Sequence, residues 1–521
     1  MRDINRKQIL LCLISALLLS IPFFLEHAWP LLFISFIGLF ISIDKASSKK
    51  AFRIGTLTGT IAYFITTYWL IGTLTRFGGF PLIMGIVFHL IISIYSGLIF
   101  GLFSLLITSD LLKRFRLINT LIIGIIWVAI EYHYPLLFPF SIASPLANFY
   151  PIIQISDLFG VGSLSLIIII INHTLFKTIK SRWNKEKIPL IELSSSVILI
   201  LAVLTYGFLR IEAVNKVVDK SETLKVGIVQ GNFDFTEKKQ DNYFSMVNKH
   251  KELSYGLADS DLIIWPETAI QIFIPTTYPY LTAEGQNLIP FIKDKYFLVG
   301  GLSFDPVDPR DGDIENVNRY NSAFLTDARG EILGRFHKIK LLLFGEYLPF
   351  SKYFPSIKKL SPATGDYVPG SELNLMNIDE LGVKIAPLIC YEDIIPSFSR
   401  NFKNQGANLL INLTNDAWFG ETIAPYQHLL LSVPRAVENR TYLIRATNTG
   451  VSAIIDPLGR VVKKSDIFVQ QTLSAEIRLM NNGNTFYVKY GHYFYLVCLI
   501  ITLIYLGITI NSRRKNAGKS F

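Results

Sequence analysis

The sequence predicts a multi-pass α-helical membrane domain of about eight spans together with one layered α/β domain. Half of the 521 residues are hydrophobic, and the mean hydropathy of +0.39 is too high for an ordinary soluble protein. The apolar residues concentrate in 8–210 and 485–511, and the stretch between them holds most of the acidic groups. We therefore expect seven spans in 1–213, a globular domain at 214–482, and a final span with a basic tail in 483–521.

Eight apolar stretches have the length of about 20 residues that a membrane-spanning helix needs. They are 8–25, 29–43, 55–74, 82–108, 117–134, 157–176, 191–209 and 486–510. The stretch 135–152 is also apolar, but prolines interrupt it, and we expect a re-entrant or interfacial segment there. The first stretch is not predicted to be a signal peptide, because no small-residue cleavage site follows it and another span comes at once.

Lysine and arginine alternate across the loops between these stretches. They cluster before the first span, after the second, fourth and sixth spans, and at the C-terminus. These basic residues are Arg2, Arg6, Lys7, Lys45, Lys49, Lys50, Arg53, Lys113, Arg114, Arg116, Lys177, Lys180, Arg182, Lys185, Lys187, Arg513, Arg514, Lys515 and Lys519. Because basic loops stay in the cytoplasm, both termini are predicted to be cytoplasmic and 214–482 to lie on the outer side. Eight spans satisfy this arrangement, whereas seven or nine would not.

The globular region alternates strand patterns with helix and turn signals. Short apolar stretches predict strands at 224–230, 262–265, 296–300, 322–326, 383–389, 407–413, 442–446, 451–455 and 472–477. Helices are predicted at 240–258, 396–405 and 425–440, hairpin turns at 327–330 and 456–459, and a surface loop at 305–318. This mixture indicates a layered α/β fold in which helices cover sheets.

Cys390 ends one of these predicted strands, and two acidic residues follow it closely. Because ligands bind at strand exits in α/β sheets, this cysteine is a candidate nucleophile. It is the only cysteine of the globular region, since Cys12 and Cys498 lie in predicted spans, so no intrachain disulfide is expected there. A thiol beside carboxylates does not ionise unaided, and a cation is therefore expected nearby. The alternative is an inert buried cysteine.

Three further polar groups are candidate partners of Cys390. Glu267 follows another predicted strand at a turn imposed by a proline, and a carboxylate there could act as a general base. Lys338 could lower the pKa of a thiol or stabilise an oxyanion, although Lys340 fits equally well from spacing alone. Glu346 could hold the lysine in place. Taken singly, each also fits a structural role, as a cap, a solvated acid or part of a basic surface strand.

The motifs around these residues resemble the carbon–nitrogen hydrolase (nitrilase) superfamily. They are Trp265-Pro266-Glu267, His337-Lys338, Phe344-Gly345-Glu346-Tyr347 and Cys390-Tyr391-Glu392, together with Gln230-Gly231-Asn232, 412–420, Gln427-His428, 435–440 and 445–450. That superfamily uses a Glu-Lys-Cys triad in an αββα sandwich. With eight spans around one such domain, the chain resembles the bacterial apolipoprotein N-acyltransferase family from end to end.

The resemblance implies an acyltransferase of the bacterial inner membrane whose catalytic domain faces the periplasm. Such an enzyme moves an acyl chain from a phospholipid, through a cysteine thioester, to the α-amino group of the diacylglyceryl-cysteine that begins an apolipoprotein. This ping-pong reaction is the last step of lipoprotein maturation. Its partners are phospholipid, apolipoprotein and the membrane, and a monomer is expected. No nucleic acid is expected, because much of the net charge of +10 lies in loops between spans.

Carried over to this chain, Cys390 is the nucleophile, Glu267 the base and Lys338, in preference to Lys340, the oxyanion partner. Supporting roles fall to residues that would hold the lysine and shape the pocket, namely Glu346, Tyr391 and Glu392. His337 is expected to be a neighbour of the site and not a catalyst. No cofactor or metal is expected, because no His/Cys cluster has ligand spacing.

Two features depart from the family pattern. Leu343 stands where members often have a proline before Phe-Gly-Glu, and no tryptophan follows the motif at 230–232, where many members have one. Phe233 or Phe235 could replace that aromatic surface. The contacts of this arm with lipid are therefore open, whereas the triad is intact.

Two other functions fit parts of the sequence. A membrane-tethered amidase or nitrilase acting on small C–N substrates would need a single anchor, so eight spans argue against it. A transporter or scaffold with an inactive nitrilase-like domain would leave the triad without a role. Transport pathways also need ionisable residues inside the spans, and the main candidates, Glu131 and His173, lie near predicted span ends.

Overall fold

The computed structural model describes residues 4–108, 118–233, 243–306, 317–343, 345–347, 365–481 and 483–517. The chain divides into two compact units. One, here called the helical unit, runs up to Thr75, continues with Phe80–Glu212 and resumes from Lys489 onward. The other, here called the sheet unit, consists of Arg76–Gly79 and Ala213–Val488.

The helical unit contains the described apolar helices. A few of them extend by some residues into the sheet unit. The α-helices are Arg6–Ser20, Ile37–Ile43, Ser48–Thr66, Trp69–Arg76, Leu82–Ile107, Asn119–His133, Tyr150–Ile153, Ser156–Phe159, Gly162–Trp183, Leu190–Val218 and Phe486–Ala517, and the 3₁₀ helices are Ile21–Phe23, Glu26–Phe33 and Ser144–Asn148. Within the described ranges, six helical segments are long and apolar enough to cross a membrane. The pair Ser48–Thr66 and Trp69–Arg76, bent by 62°, would make a seventh.

Each of the eight predicted spans overlaps a helix, but two more differ from a simple straight span besides the bent pair, which corresponds to 55–74. The predicted span 29–43 is a 3₁₀ helix, Glu26–Phe33, followed by the short α-helix Ile37–Ile43. A proline inside the first of these removes a backbone donor and disfavours the α-helix there. The predicted span 117–134 corresponds to Asn119–His133, which has only 15 residues.

The proline-rich stretch 135–152 has only short helical pieces in the structure. The 3₁₀ helix Ser144–Asn148 and the four-residue helix Tyr150–Ile153 each begin at or beside a proline. A proline in a helix interior costs a hydrogen bond, so helices here cannot grow to spanning length. No helix of spanning length lies within the described residues 135–152, and the re-entrant or interfacial segment stays a prediction.

Two acidic side chains of the helical unit accept hydrogen bonds within that unit. Asp157 accepts hydrogen bonds from Arg210 Nε and from the Tyr206 hydroxyl, each at 2.6 Å. Glu131, which the sequence marks as a rare ionisable residue, accepts the backbone N–H of Ile142 at 2.8 Å. Because an unpaired charge is costly away from water, these contacts explain how the acids are tolerated.

Glycines bring the helices Ser48–Thr66 and Leu82–Ile107 into close contact. A Cβ added at Gly55 would lie 2.2 Å from the Phe100 carbonyl oxygen, and one at Gly97 would lie 2.5 Å from a backbone nitrogen of the facing helix. Small residues at helix crossings let backbones approach closely, which is typical of membrane proteins. The packing therefore requires these glycines.

Two large sheets and one two-stranded sheet form the described part of the sheet unit. The strands are β1 Thr223–Gln230, β2 Leu262–Ile264, β3 Ile270–Pro275, β4 Thr282–Ala283, β5 Gln286–Asn287, β6 Tyr296–Phe304, β7 Arg319–Thr326, β8 Ile332–His337, β9 Met376–Ile378, β10 Val383–Ile389, β11 Leu409–Thr414, β12 Leu443–Thr447, β13 Ala453–Ile455, β14 Val461–Lys464 and β15 Gln471–Arg478. The larger sheet has the order β15-β1-β2-β6-β7-β8, with β3 also paired to β6, and the smaller has β14-β13-β12-β11-β10-β9. The central strands β10, β11 and β12 are parallel neighbours.

Helices cover the outer faces of both sheets. Tyr243–Tyr255 packs against the larger sheet, and Pro396–Asn404 and Ala424–Asn439 pack against the smaller one. The layers are therefore helix, sheet, sheet and helix, which is the αββα sandwich expected from the resemblance. All nine predicted strands and all three predicted helices are found.

The differences in this unit are additional short strands. β4, β5 and β9 are not predicted because they have only two or three residues, and β3 is not predicted because it ends in a proline. β8 and β14 are the second strands of the two predicted hairpins. The predicted surface loop 305–318 and the predicted helix start at 240–242 lie largely outside the described residues.

Gln230 connects the two sheets. Its Oε1 accepts hydrogen bonds from the hydroxyl groups of Ser452 at 2.6 Å, Ser465 at 2.8 Å and Thr447 at 3.2 Å. Its Nε2 donates to two backbone carbonyl groups. A buried amide needs all these partners, so the contacts fix the spacing of the sheets at this point. The first residue of the motif at 230–232 thus has a structural role.

We predict that Gly300→Ala destabilises the sheet unit and displaces Glu267. A Cβ at Gly300 in β6 would lie 2.3 Å from the Pro266 carbonyl oxygen and 2.7 Å from Glu267 Cα. Relieving such a clash costs about 1–3 kcal/mol of the free energy of unfolding. Thermal unfolding of the detergent-solubilised protein measures the change. Gly256→Ala is the control, because its nearest contact is at 3.4 Å. Equal midpoints for the two variants would contradict the prediction.

Candidate active site

The three predicted triad residues each follow the end of a strand. Glu267 follows β2, Lys338 comes directly after β8, and Cys390 comes directly after β10. β2 and β8 belong to the larger sheet and β10 to the smaller. The candidate site therefore takes its groups from both sheets of the sandwich, so it exists only when the two sheets are packed together.

Lys338 is a buried cation between two carboxylates. Its side chain is 1% exposed, and its Nζ lies 2.8 Å from Glu346 Oε2 and 3.5 Å from Glu267 Oε1. Burial opposes the charge, but Glu346, Cys390 and Glu267 outweigh it and hold the pKa of Lys338 well above its ordinary value. The lysine is therefore charged at neutral pH.

The structure distinguishes the two lysines that spacing alone leaves open. Lys338 is buried among the acidic groups, whereas the side chain of Lys340 is exposed. Lys340 contributes its backbone N–H, which donates to Glu392 at 2.9 Å. The buried positive charge of the site therefore comes from Lys338.

Asn321 joins the two carboxylates that flank the lysine. Its side-chain Nδ2 donates to Glu267 Oε1 at 2.7 Å and to Glu346 Oε1 at 2.9 Å. Its backbone carbonyl accepts the backbone N–H of Lys338 at 2.8 Å. The sequence motifs do not predict a role for this residue. The available signal is a polar side chain in β7, a strand whose last six residues are all buried, because buried polar groups need partners.

Cys390 has an unusual backbone conformation. Its φ of +55° lies in the left-handed region, which residues other than glycine seldom adopt. It begins the 3₁₀ helix Cys390–Ile394, and its side chain keeps partial exposure. Burial raises the pKa of the thiol to about 12, and although Lys338 lowers it, Glu267 and Glu346 raise it further. The thiol is therefore protonated at neutral pH and needs a base to react.

Glu392 ties the segment after β8 to the segment after β10. Its Oε1 accepts the backbone N–H groups of Ile339 at 2.8 Å and Lys340 at 2.9 Å, and its Oε2 accepts that of Ile389 at 2.8 Å. Burial raises the pKa of Glu392 to about 7, while these N–H groups favour the carboxylate. The side chain thus fixes the separation of the two strand exits.

Tyr391 completes the predicted set. Its ring centroid lies 5.7 Å from Lys338 Nζ, within the range of a cation–π contact, and its hydroxyl donates to the Leu341 carbonyl at 3.1 Å. All the predicted site residues are thus gathered in one place, namely Glu267, Lys338, Glu346, Cys390, Tyr391 and Glu392.

His337 has different neighbours from those of Lys338. Its Nδ1 lies 2.8 Å from the Ser322 hydroxyl, and its ring stacks on Tyr320 with centroids 4.3 Å apart. Burial lowers the pKa of His337 to about 4, so the ring is neutral at pH 7. These contacts give the ring a packing role.

Phe233 packs against the protein in the arm that lacks the family's tryptophan. Its ring stacks on His250 with centroids 5.3 Å apart, and its backbone N–H and C=O both bond to the Asn448 amide, at 3.0 and 2.8 Å. Phe235 and Phe344, which belong to the sequence predictions, lie outside the described residues. Phe233, which could replace the aromatic surface of the missing tryptophan, is therefore held by contacts within the protein.

Two protein-family models match the chain. The carbon-nitrogen hydrolase model matches residues 225–485, and the model of the apolipoprotein N-acyltransferase N-terminal domain matches residues 15–174. The first match covers the strands and the candidate site, and the second covers most of the predicted spans that precede them.

Relatives match over nearly the whole length. The apolipoprotein N-acyltransferase of Geobacter metallireducens is 33% identical over 507 residues, covering 95% of this chain and 94% of the relative. That of Bdellovibrio bacteriovorus is 29% identical, with 97% and 94% covered. Apolipoprotein N-acyltransferase 1 of Treponema denticola is 28% identical, with 96% of each chain covered. Since the similarity extends over the apolar helices and the candidate site alike, the chain belongs to the apolipoprotein N-acyltransferase family.

Proposed function

We propose that this chain moves an acyl chain from a phospholipid, through a thioester on Cys390, to the α-amino group of the diacylglyceryl-cysteine of an apolipoprotein. The observation that carries the proposal is the buried Lys338 cation, which contacts Glu267 and Glu346 and interacts with the Cys390 sulfur. Lipid substrates suit a chain with at least six helices able to cross a membrane. Relatives named for this reaction support the same conclusion.

The first half-reaction forms the thioester. Glu267 takes the thiol proton as the Cys390 sulfur attacks the ester carbonyl carbon of the phospholipid. Lys338 stabilises the negative oxygen of the tetrahedral intermediate. The ester C–O bond then breaks, the proton passes from Glu267 to the leaving alkoxide, and a lysophospholipid departs. A base is required because the thiol, with a pKa of about 12, is protonated at neutral pH.

The second half-reaction transfers the acyl chain to the lipoprotein. The neutral α-amine attacks the thioester carbonyl, and Lys338 again stabilises the oxyanion. The C–S bond breaks, an amide forms, and Glu267 passes the amine proton to the departing sulfur of Cys390. The free enzyme is thus restored after two separate substrates, which is a ping-pong mechanism.

The supporting residues hold this machinery in place. Glu346 anchors Lys338, with which it forms the shorter of the two ion pairs at 2.8 Å. Tyr391 and Glu392 shape the pocket by fixing the segments on either side of Cys390. We infer that the protein acts as a monomer, because one chain supplies every group that the mechanism uses.

We also propose the placement of the chain in the bacterial inner membrane. Residues 1–213 form seven spans, 214–482 form the catalytic domain on the periplasmic side, and 483–521 form a last span with a basic tail. Both termini are then cytoplasmic. The alternation of basic and non-basic loops supports this arrangement, because lysine and arginine are retained in the cytoplasm.

Cys390→Ala should abolish both acyl transfer and the acyl-enzyme, because it removes the attacking sulfur. Intact-mass spectrometry after incubation with phospholipid should show one acyl adduct on the unmodified protein and none on the variant. Cys390→Ser should be nearly inactive, since a serine hydroxyl stays protonated where a thiol can ionise. Cys12→Ala and Cys498→Ala serve as controls and should remain acylated.

An active Cys390→Ala variant would refute the mechanism. The same preparations, given a diacylglyceryl-cysteine peptide or a series of small amides, distinguish the proposed reaction from that of a membrane-tethered amidase. Hydrolysis of small amides without acyl transfer from phospholipid would favour the amidase.

Glu267→Gln should slow the alkylation of Cys390 by iodoacetamide and slow acyl transfer about 10²–10⁴-fold, because general-base assistance is lost. Without the base, reaction requires free thiolate, which burial keeps scarce at neutral pH even when the charge of Glu267 is removed. The alkylation rate of the variant should therefore rise with pH above pH 7, by up to about tenfold per pH unit until the thiol itself titrates. Peptide mass spectrometry of Cys390 measures the rate.

Glu252→Gln is the control, since that side chain is 71% exposed. Full thioester accumulation in Glu267→Gln would reassign the base.

The proposed topology predicts which added cysteines a membrane-impermeant maleimide reaches from outside. In the Cys390→Ala background, Arg329→Cys should be labelled in intact spheroplasts, because that side chain is 74% exposed in the sheet unit. Lys49→Cys, at an exposed position after the second predicted span, should be labelled only after permeabilisation. The reverse pattern would show that the sheet unit is cytoplasmic.

A further inference from the structure

Four buried side chains form a polar chain that begins in the Cys390 turn. Asp393 Oδ1 lies 3.0 Å from His428 Nε2, and His428 Nδ1 lies 2.9 Å from Asp416 Oδ1. Arg445 Nη1 bonds to the other oxygen of Asp393. Both aspartates and the arginine are fully buried, and His428 is 8% exposed. The acyl-transfer steps above use none of these four residues.

The polar chain connects three neighbouring strands of the smaller sheet. Asp393 lies in the turn after β10, Asp416 lies in the 3₁₀ helix after β11, and Arg445 lies in β12. His428 comes from the helix Ala424–Asn439, which covers this sheet. Because β10, β11 and β12 are adjacent and parallel, the imidazole ties the Cys390 turn to the rest of its sheet.

The hydrogen bonds define the role of the imidazole. Each ring nitrogen of His428 lies within hydrogen-bond distance of a carboxylate oxygen, Nδ1 of Asp416 and Nε2 of Asp393. Two buried aspartates therefore hold His428 from opposite sides, and Arg445 balances the charge of Asp393. Such charge-assisted bonds are shorter and stronger than neutral ones, which makes the arrangement rigid.

Two consecutive acids hold the Cys390 turn from two directions. Glu392 bonds to the backbone after β8 in the larger sheet, whereas Asp393 bonds to His428 on the smaller sheet. A third contact comes from Asn412 Nδ2, which donates to the Cys390 carbonyl at 2.8 Å. A left-handed conformation at a residue other than glycine persists only where its surroundings impose it.

We propose that His428 is a positioning residue, which with Asp393 and Asp416 holds Cys390 in the left-handed conformation that aims its sulfur at the ester carbonyl of the acyl donor. The proposal rests on the proposed function of Cys390 as the nucleophile. Loss of the imidazole lets the turn relax toward ordinary backbone angles, and the sulfur then leaves its place beside Lys338 and Glu267. The expected defect is therefore in chemistry at Cys390 and not in the binding of lipid.

His428→Gln tests the proposal, because an amide has a single nitrogen and an oxygen that only accepts, whereas the imidazole presents a nitrogen to each aspartate. Its oxygen then faces a carboxylate, and one of the two hydrogen bonds is lost. We expect the iodoacetamide alkylation of Cys390 and the kcat of acyl transfer to fall about 100-fold, as for a misplaced reactive group, with KM for phospholipid within about threefold of its original value.

The double variant Asp416→Asn with His428→Gln provides the rescue. An amide at position 416 can donate to the amide oxygen at position 428, whose own N–H₂ group donates to Asp393, so that the chain of hydrogen bonds is continuous again. We expect the double variant to alkylate at least about tenfold faster than His428→Gln. A role in bulk stability alone would not produce recovery from a second buried substitution.

Rates are compared per folded molecule, with thermal midpoints measured for every variant. His89→Gln is the matched control, because His89 is fully buried in the helical unit and bonds a backbone carbonyl at 3.1 Å. It should lower the thermal midpoint without changing the alkylation rate of folded protein. A His428→Gln variant that alkylates at the original rate, or a double variant no faster than His428→Gln, would overturn the proposal.

Alkylation also separates this proposal from the proposed function, because it needs neither phospholipid nor apolipoprotein. Unmodified protein whose Cys390 reacts with iodoacetamide but which transfers no acyl chain would contradict the acyltransferase function. The comparison of His428→Gln with the double variant would still decide whether His428 positions the sulfur.

Discussion

The rest of the site depends on the ion pairs that the ammonium group of Lys338 makes with Glu346 and Glu267. The ammonium group lies 2.8 Å from Glu346 and 3.5 Å from Glu267, with only 1% of the lysine side chain exposed. A buried charge is tolerated only where its partners are held in place, and removal of one partner is strongly destabilising. Asn321 satisfies this condition by bonding both carboxylates and the Lys338 backbone. The same contacts that solvate the cation therefore also fix the candidate base.

The charge balance around Cys390 explains why the thiol stays protonated. Its charged and titratable neighbours are the acids Glu267, Glu346, Glu392, Asp393 and Asp416 and the bases Lys338, His428 and Arg445. Burial is the main cause that disfavours the thiolate, and the negative charges of the acids disfavour it further. The positive charge of Lys338 does not compensate for these two effects. Such a site suits attack that is coupled to proton transfer, and it protects the sulfur from unwanted reactions between turnovers.

The sequence predicts what local pattern and motif can specify. Nine strands, three helices and two hairpins of the sheet unit follow from apolar runs and turn residues, and the motifs identify six residues that meet in space. Asn321 is missed, because its partners lie 54 and 25 positions away and a lone asparagine in a strand has no local signature. The Asp157–Arg210 pair and the 62° bend are missed for the same reason, since packing between distant segments determines both. His428 belongs to a recognised motif, yet its two aspartate contacts appear only in the folded chain.

The left-handed backbone at Cys390 also limits which nucleophiles evolution can place there. A φ of +55° is uncommon for most side chains and a genuine outlier for those branched at Cβ. Threonine, which serves as the attacking group in some other hydrolases, would be rejected by steric conflict before its reactivity mattered. Divergence within this fold is thereby confined to unbranched nucleophiles, unless the turn itself is rebuilt.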